Sequence, residues 1–426
     1  MNFRRLTLST IVAVALLSGL AHAGGFQINE HAARATGMAG AFAAQSSDPS
    51  AIFFNPAGLA FLKGKTLSLG TTLIFPSTTF SGPTPSTQES KMNSQVFYPS
   101  NLYGTYAMND DLVFGLGVYN PFGLGTEWPS NWVGRYLAVK ADIVTFFINP
   151  TVAYKISDQL SVGVGVSYVY SSVSLSYNIA TFTDQTRSTI SSQDGSVLLD
   201  ATGSGINFDA GLLYKPMRDL SIGVSYRHST KIDFSGTATF SNMQGLAQYF
   251  PGGTGKTTIT MPNSIYGGIA YNFTPELLVE ADVQWVAWST YDKLKVDLAD
   301  GPPDPQSGNK PLQTSQPAQV KDWADASLIR VGVQYSIDDQ LTVRGGYIFD
   351  STPQPDKTAE PILPDADRND FALGFTYKLS KDLAVDVAYL LVLFSDRTIP
   401  ASVNNFPGTY KSSANLFGLN LTYTLE

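Results

Sequence analysis

Residues 335–341 read Tyr-Ser-Ile-Asp-Asp-Gln-Leu, and related heptapeptides recur along the chain. They begin at Tyr106, Tyr154, Tyr214, Tyr271 and Tyr377. In each, a Tyr ends a segment of alternating apolar and polar residues, a short turn of Asp, Ser, Asn or Pro follows, and a Leu begins the next segment. Six tight turns of this kind join seven hairpins, so the sequence predicts fourteen antiparallel strands.

The distances between these turns are irregular, so segments of variable length must connect the strands at their other ends. Short turns at one rim and long loops at the opposite rim are typical of outer-membrane β-barrels. The recurring Tyr residues would then form an aromatic girdle at the periplasmic interface. A solenoid or propeller would repeat at a nearly constant period, which this chain does not. The sequence therefore predicts an all-β transmembrane barrel of fourteen antiparallel strands.

Within the strands, alternation assigns one set of side chains to lipid and the other set to the lumen. For example, Leu277, Val279 and Trp285 would face lipid, whereas Glu280 and Asp282 would face the lumen. The same parity places four cations in the lumen: Arg227, Lys231, Arg330 and Arg344. One or more of them could bind a ligand carboxylate, because a charge-assisted bond in a dry pocket is strong. The alternative is that they pair with lumen carboxylates of neighbouring strands.

Two segments precede the first strand. Residues 1–23 combine two Arg, an apolar run and a small-x-small site, so they predict a secretory signal that is removed. Residues 24–63 lack the strand alternation, are rich in Ala and Gly, and contain Asn55-Pro56-Ala57. Their predicted helical part, 29–42, is too short to span a bilayer. We expect 24–63 to plug the lumen, and we call this segment the hatch; 64–426 would form the barrel around it.

The composition excludes several functional classes. The 426 residues include 15% charged residues, 21 Tyr and 25 Phe, and the formal net charge is −8. An acidic chain with few charges is unsuited to binding nucleic acid. The absence of Cys excludes thiol catalysis, disulfides and thiolate metal sites. The sequence contains no run of 18 apolar residues that would predict a transmembrane helix after the signal segment.

Motifs for catalysis or cofactor binding are weak. Gly252–Thr257 is rich in Gly but lacks the spacing and the strand-to-helix context of a phosphate loop. His31 and His228 have no evident partners for a Ser-His hydrolase, and the parity points His228 toward lipid. Asp365–Asp370 could attract a divalent cation, but Arg368 interrupts the run, and a solvated loop is the simpler interpretation. We therefore expect no enzymatic activity, no cofactor and no metal site.

Two further segments are candidates for ligand passage. Met243, Leu246 and Phe250 are spaced as the apolar face of a short helix in a long loop. This face could capture a hydrophobic ligand or simply pack on neighbouring loops. After the third strand, Pro121 and Gly123 lie within Asn-Pro-Phe-Gly-Leu-Gly, where Pro removes a ladder donor and Gly permits a kink. The sequence predicts either a gap in the wall here or the end of the strand.

Several segments, in chain order, resemble the FadL family of outer-membrane transporters for long-chain fatty acids and other hydrophobic compounds. They are Gly25–Glu30 and Asn55-Pro56-Ala57 in the hatch, and Lys231–Gly236, Trp288–Leu294, Lys321-Asp322, Arg344–Asp350 and Ile362–Arg368 in the barrel. The resemblance implies that the hatch closes the lumen, that ligand passes from a groove between extracellular loops to an internal site, and that a kink in the third strand opens the wall sideways.

The resemblance also assigns roles to individual residues. It implies that Gly123 lies at the kink and that Phe26 lines the internal site. It further implies that Asn55, Pro56 and Ala57 pack the hatch against the wall beside the kink.

These expectations combine into one predicted function: a monomeric protein of the Gram-negative outer membrane that passively admits hydrophobic small molecules. Its other predicted partners are outer-membrane lipid, lipopolysaccharide and the barrel-assembly machinery. Where the family binds a polar head group, this chain has Tyr119 and Tyr177, so fatty acids and aromatic hydrocarbons are both candidate substrates. The alternative function is a surface adhesin or phage receptor that uses the barrel only as a scaffold for its loops.

Overall fold

The wall of the protein is one closed antiparallel β-sheet. The computed structural model describes residues 24–45, 48–83, 85–86, 88–183, 187, 189–400 and 402–425. The predicted signal segment, 1–23, lies outside the described residues. Across the described part of the chain, fourteen strands pair in sequence order, and the first strand pairs with the last along its whole length. The predicted fold class is confirmed.

The strand bounds follow the predicted hairpins. The strands are β1 Lys65–Ser81, β2 Ser100–Ala107, β3 Leu112–Tyr119 with Gly123–Glu127, β4 Lys140–Ser157, β5 Leu160–Ile179, β6 Gly195–Met217, β7 Leu220–Arg227 with Thr230–Ser241, β8 Gly253–Met261 with Ser264–Asn272, β9 Leu277–Val286, β10 Ala326–Ser336, β11 Leu341–Asp350, β12 Arg368–Lys378, β13 Leu383–Phe394 and β14 Gly408–Leu425. Three strands, β3, β7 and β8, are therefore interrupted by two or three residues.

The long loops contain small elements of their own. Short strands lie at Glu89–Lys91, Lys293–Leu294, Asp297–Leu298, Pro303–Asp304, Lys310–Pro311, Gln319–Val320 and Arg397–Ile399. Single 3₁₀ turns lie at Gln244–Tyr249, Trp288–Thr290, Pro305–Ser307 and Asp356–Thr358. These elements are all on the rim opposite the tight turns.

Local side-chain chemistry fixes the tight turns. Asn109 and Asp338 each accept two main-chain N–H bonds through Oδ1 within their own turns. The hydroxyl oxygens of Thr274 and Ser380 accept the equivalent pair of bonds in two other turns. Because these bonds are made within a few residues, each turn is satisfied before its strands are placed in a sheet.

The outer face of the wall is apolar, as contact with lipid requires. Large side chains on alternate residues are exposed, for example Leu67 and Leu69 of β1 and Leu419 and Leu421 of β14. The Tyr residues of the turns also project outward at one rim, each between 39% and 51% exposed: Tyr106, Tyr154, Tyr214, Tyr271, Tyr335 and Tyr377. This row corresponds to the predicted aromatic girdle.

The hatch fills the lumen. It contains the helices α1 (Ala33–Gly37) and α2 (Ala51–Phe54) and a 3₁₀ turn at Pro56–Phe61. The side chains of Ala35 and Phe42 are fully buried between the hatch and the wall. The first wall strand, β1, begins directly after this segment, close to the predicted boundary.

The helix predicted over 29–42 is wrong in its bounds, since α1 has only five residues. Ala39 and Gly40 have φ angles of 57° and 72°, and a chain in these left-handed conformations cannot continue a right-handed helix. Among the described residues, no helix combines the length and the apolar character needed to cross a bilayer.

The register of the wall changes by one residue where β7 is interrupted. Between the pairs Asp209–Arg227 and Ser204–Asp233, β7 contributes one residue more than β6. A β-bulge of this kind moves every later side chain of the strand to the opposite face. Ile232, which simple alternation assigns to lipid, therefore points inward and is fully buried.

Candidate ligand passage beside the hatch

The first residues of the hatch, Gly24–Glu30, form an extended segment that we call the arm. Two hydrogen bonds of 2.9 Å join the arm to the interruption in β3. They run from Gly123 N–H to the Phe26 carbonyl and from Ile28 N–H to the Pro121 carbonyl. The strand is thus interrupted where the sequence predicts, and the arm pairs with the interruption through a single antiparallel bridge between Gln27 and Phe122.

Thr145 of β4 compensates for the broken ladder of β3. Its hydroxyl group donates to the Phe122 carbonyl (2.7 Å) and accepts from Phe122 N–H (3.1 Å). Its main-chain carbonyl accepts a bond of 2.5 Å from Asn120 Nδ2. The interruption is therefore fully hydrogen-bonded on the β4 side, as a buried main chain requires.

On the β2 side, the wall has an opening that we call the window. From the tight turn that joins them, β2 and β3 pair as far as Leu102 and Val118. Beyond this point, the upper half of β3, Gly123–Glu127, has its ladder with β4, and no ladder joins it to β2 within the described part of the chain. A stretch of wall therefore lacks the main-chain ladder that seals the rest of the barrel.

Two hydrogen bonds set the edges of the window. At its lower edge, Ser100 N–H donates to Asn120 Oδ1 (3.1 Å). At its upper edge, Asn93 N–H donates to the Glu127 carbonyl (2.8 Å). The opening is thus bounded above and below, and its extent along β3 is that of a few residues.

The ring of Phe97 lies in the window. Phe97 exchanges main-chain bonds of 2.8 and 3.0 Å with Ile74 of β1, so its backbone is fixed on the far side of the opening. A Cβ atom at Gly125 would lie 1.9 Å from Phe97 Cζ, so the ring packs directly on the Gly125 main chain. The neighbours Val96 and Tyr98 are 48% and 71% exposed. Phe97 therefore occludes an opening that only a glycine on β3 leaves free.

A cavity of about 650 Å³ lies between the arm and the window. This volume is within the range of roughly 300–1,000 Å³ that is usual for small-molecule sites. The cavity borders Ile28 of the arm and also Phe97 and Gly123 at the window. Its apolar walls include Ile74, Ile143, Leu328, Ile348, Val392 and Leu416.

The cavity also has a polar side. Its ionisable lining residues are Glu30, Asp142, Asp350, Asp365, Arg368 and Asp370. The Arg368 guanidinium forms an ion pair with Asp350 and lies 5.3 Å from the centre of the Phe394 ring. Asp365 accepts from Gly25 N–H at 3.1 Å, and its burial raises the pKa of this carboxyl despite the nearby Arg368.

The acidic run Asp365–Asp370 is therefore not the solvated loop that the sequence suggested. Asp365 and Asp370 are 3% and 5% exposed, because the closed wall and the hatch bury this end of the lumen. Among the described residues, no cluster of His, Asp and Glu has the arrangement of a metal site.

Phe26 occupies an aromatic cage rather than the cavity. The ring centroids of Trp288, Tyr291, Trp323 and Phe122 lie between 4.7 and 6.2 Å from that of Phe26. Phe26 is 5% exposed, and its neighbours in the arm, not its own ring, line the cavity. The cavity is therefore bordered by the arm, whereas Phe26, which the resemblance assigns to an internal site, packs in the cage and holds the arm in place.

Arg227 and Arg330 face the lumen as predicted, but both bind the hatch. Arg227 donates to the Tyr119 hydroxyl and to the Phe53 carbonyl, each at 3.0 Å. Arg330 Nη2 donates to Asn29 Oδ1 at 3.0 Å. Both arginines border a space of about 30 Å³, which is enough for roughly one water molecule. Neither lines the large cavity.

Arg344 also faces the lumen and is engaged by the wall. It donates to Gln334 Oε1 (2.8 Å) and to Thr376 Oγ1 (2.6 Å), and it lies 3.9 Å from Asp386 Oδ1. The predicted pairing with carboxylates of neighbouring strands describes Arg344, which has Asp386 as its partner, but not Arg227 and Arg330, which bond to the hatch. None of the three lines the cavity.

Lys231 does not line the lumen, and its predicted orientation is wrong. It follows the bulge in β7, which inverts the parity of the strand. Its side chain is 65% exposed on the outer surface and lies 3.2 Å from Asp233 Oδ1. A ligand inside the barrel cannot reach it.

The loop residues Met243, Leu246 and Phe250 are distant from the cavity lining. Met243 and Leu246 are 3% and 4% exposed beneath neighbouring loops. The Phe250 ring packs 5.1 Å from that of Phe240. Packing on neighbouring loops, the second interpretation of this segment, describes their position in the structure.

The triplet Asn55-Pro56-Ala57 anchors the hatch on β5 and β6. Asn55 Nδ2 donates to the Leu212 carbonyl of β6 (3.1 Å), and the Ser161 hydroxyl of β5 donates to the Ala57 carbonyl (2.8 Å). A space of about 30 Å³, bordered by Pro56, lies between the triplet and the interruption in β3. The predicted contact of the triplet with the kink is therefore corrected, since the arm makes that contact.

Sequence reasoning assigned no role in the passage to four residues that line the cavity: Ile28, Phe97, Arg368 and Asp370. Phe97 stands in a Phe-Tyr-Pro run just before β2, and Pro at the start of a strand is a signal of an irregular edge. Ile28 and the two charged residues have no such local signal, because their roles depend on how the hatch sits in the closed barrel.

The closed barrel, the lumen-filling hatch and the internal cavity define an outer-membrane β-barrel that is plugged by its own N-terminal segment. Residues 14–425 match the family of outer membrane protein transport proteins (OMPP1/FadL/TodX), so the chain belongs to this family. Outer-membrane localisation follows from the family and from the fold.

The relatives match this chain over nearly its whole length. The long-chain fatty acid transport protein of Escherichia coli (strain K12) is 26% identical over 448 residues, which cover 97% of each chain. The solved structure of a FadL homologue of Pseudomonas aeruginosa has a TM-score of 0.82 and 21% identity, and the match covers 95% of this chain and 100% of the other. For the Pseudomonas putida toluene transporter TodX, the TM-score is 0.72 at 19% identity, with 94% and 98% covered.

Proposed function

We propose that this protein admits hydrophobic small molecules passively and releases them sideways through the window into the outer membrane. The observation that carries this proposal is the cavity of about 650 Å³ that borders the arm at one side and the window at the other. The relatives transport a long-chain fatty acid in one case and toluene in another, by their names. The proposed substrate class covers both.

Apolar burial supplies the driving force for capture. Each 100 Å² of apolar surface removed from water contributes about 2.5 kcal/mol. Several apolar side chains of β1, β4, β10, β11, β13 and β14 line the cavity, so an alkyl chain or an aromatic ring loses water on most sides. A strong polar anchor is unnecessary for binding of this kind.

Passage requires the arm to move. In the structure described, the arm covers the inner side of the window with two main-chain bonds, each contributing about 1 kcal/mol. A ligand in the cavity competes for the same surface of Ile28 and Gly123, so it favours the state in which the arm has shifted. Gating by substrate therefore needs no energy source other than binding.

A function as a surface adhesin or phage receptor has less support than the proposed transport. An adhesin or phage receptor needs a barrel and loops, but it has no use for a window with an arm bonded across it. We retain the monomeric state, and contacts with lipopolysaccharide and the barrel-assembly machinery, as predictions.

Substitution of Gly123 tests the lateral route. The Cβ atom of a new side chain would lie 2.7 Å from Ile28 Cδ1, so Gly123→Val fills the space between the arm and the interruption. We expect uptake of labelled oleate and of labelled toluene by cells to fall about tenfold, which corresponds to roughly 1.4 kcal/mol on the barrier to passage.

The matched control is Gly104→Val in β2, below the window. A Cβ atom at Gly104 has its nearest neighbour at 4.0 Å, so the variant should fold and transport normally. Both variants are compared at equal amounts in the outer membrane. Unchanged uptake by Gly123→Val would show that substrate does not leave through the window.

A further inference from the structure

The polar side of the cavity is unusual for a site that would receive a fatty acid. Its carboxylate residues are Glu30, Asp142, Asp350, Asp365 and Asp370, and its cation is Arg368. The lumen arginines Arg227, Arg330 and Arg344 are outside the lining. In the described part of the chain, five acidic residues and a single cation thus line this cavity.

Arg368 already interacts with other side chains of the protein. It pairs with Asp350 across the β11–β12 ladder and packs over the Phe394 ring. Asp365, three residues before the start of β12, is buried next to it and is held by Gly25 N–H and the Thr352 hydroxyl. The positive charge of Arg368 is therefore neutralised before any ligand arrives.

Three buried polar atoms at this end have no hydrogen-bond partner among the described residues. They are Asp350 Oδ1, Asp370 Oδ1 and Arg368 Nε. Asp350 and Asp370 are 2% and 5% exposed. Two of these atoms are acceptors and the third is a donor. Unpaired buried groups cost free energy, so a ligand that pairs with them gains affinity.

A hydroxyl group matches this set, since it donates one hydrogen bond and accepts others. It can donate to a carboxylate oxygen of Asp370 or Asp350 and accept from Arg368 Nε–H. A carboxylate ligand cannot donate at all, and it would add a further negative charge beside buried carboxylates.

We propose that the acidic end of the cavity selects hydrophobic molecules that carry an uncharged hydroxyl group, such as alkyl alcohols and phenols, over alkyl carboxylates. The inference rests on the proposed function, because it assigns a substrate class to the same cavity. Asp370 is the specificity-determining residue: it lines the cavity, it is buried, and its Oδ1 has no partner in the described part of the chain.

Three ligands of equal chain length test the proposal: 1-dodecanol, its methyl ether and dodecanoate. Each is titrated into the purified full-length protein in detergent micelles, with displacement of a fluorescent hydrophobic dye as the readout. At a pH of about 8, dodecanoate is ionised. We expect 1-dodecanol to bind about tenfold more tightly than dodecanoate, and several-fold more tightly than the ether, which accepts but does not donate hydrogen bonds.

Asp370→Asn removes the negative charge without changing the shape of the side chain. We expect the preference for 1-dodecanol over dodecanoate to fall at least about fivefold, mostly because dodecanoate binds more tightly. The matched control is Asp158→Asn, in a tight turn, where the native side chain is fully exposed and the ratio should not change.

The outcomes separate the two proposals. Equal affinity of the wild-type protein for 1-dodecanol and dodecanoate, or an unchanged ratio in Asp370→Asn, overturns the selection of hydroxyl compounds and leaves hydrophobic transport intact. Failure of all three ligands to displace the dye contradicts the proposed transport function itself. The comparison of the alcohol with its ether in wild-type protein stands even if the variant does not fold.

Discussion

The two parts of the hatch are held at different places in the barrel. The arm, Gly24–Glu30, is held by two main-chain bonds at the window, by the aromatic cage around Phe26, and by single bonds to Asp365 and Arg330. The remainder, residues 31–45 and 48–62, is held by carboxyl side chains of the wall. Asp282 Oδ2 accepts from the N–H groups of Phe42 (2.8 Å) and Ala43 (3.0 Å).

We call residues 31–45 and 48–62 the fixed part of the hatch, and its bonds run from N–H groups to carboxyl groups of the wall. Glu280 adds a third such bond, of 2.6 Å, to Ala44 N–H. A space of about 640 Å³ borders the fixed part at the rim of the tight turns, next to Lys381, whereas the arm borders the cavity of about 650 Å³ that reaches the window. We infer that the arm moves during transport while the rest of the hatch stays in place.

The largest expected effect comes from disturbing the fixed part. A Cβ atom at Gly223 would lie 2.0 Å from the Ala43 carbonyl oxygen, so Gly223→Ala must displace the hatch main chain. We expect a loss of about 3 kcal/mol in the free energy of unfolding, measured by urea titration in lipid vesicles. Gly267→Ala in the next strand is the control, since its Cβ atom has no neighbour within 3.9 Å. Equal stability of the two variants would mean that the fixed part is not tightly packed.

A second effect concerns the junction between the two parts. His31 donates from Nε2 to the Ile28 carbonyl (2.8 Å), and its burial lowers the pKa of the imidazole to about 3. The unfolded chain binds a proton below its ordinary pKa of about 6.5, whereas the folded protein does not. Stability contributed by neutral His31 is therefore complete above that pH and is lost as the pH falls toward 3.

We expect the wild-type protein to lose up to about 2.5 kcal/mol more than His31→Gln between about pH 7 and pH 4.5. The difference between the two proteins cancels the contributions of the buried carboxyls, including Asp365, whose raised pKa acts in the opposite direction. Unfolding titrations at several pH values provide the measurement. Parallel curves for the two proteins would contradict a neutral, buried His31.

A smaller effect is expected at the window. Phe97→Ala removes the ring that packs on Gly125, so uptake of labelled toluene should increase about threefold, equivalent to roughly 0.7 kcal/mol on the barrier. Phe417→Ala, on the lipid face of β14 and 50% exposed, provides the control for loss of an aromatic ring. A decrease in uptake by Phe97→Ala alone would show that the ring guides substrate rather than occluding the opening.

The wall could be predicted from the sequence because its determinants are local. The turn at Asp338 is bonded within a few residues, and the exposed Tyr335 is adjacent to it. The alternation of apolar and polar residues gave the wrong side-chain orientation only where the register depends on two paired strands. The bulge before Lys231 is visible only when β6 and β7 are paired, and the parity of every later residue of β7 depends on it.

The passage itself was less accessible to sequence reasoning. The interruption at Pro121 and Gly123 has a local signal, and its position was predicted. Its partner, the arm, lies far away in the sequence, and no residue pattern links the two. Similarly, the charges of Asp365 and Asp370 suggested exposure, because burial in a closed lumen is a property of the whole barrel.

A disulfide between the arm and the wall tests the movement of the arm most directly. Gln27 and Phe122 face each other in an antiparallel bridge between the two arm bonds, and such pairs have Cα atoms about 4.5 Å apart, within disulfide range. The chain contains no Cys, so Gln27→Cys combined with Phe122→Cys introduces a single possible bond. The control pair, Leu102→Cys with Val118→Cys, joins β2 and β3 below the window.

Uptake of labelled toluene is measured in oxidised cells and again after reduction with a phosphine. If the arm must leave the window for substrate to pass, the oxidised arm variant will not transport, reduction will restore transport, and the control pair will transport in both states. Equal uptake by the oxidised and reduced arm variant, with the disulfide verified, would contradict a movable arm and the lateral route that depends on it.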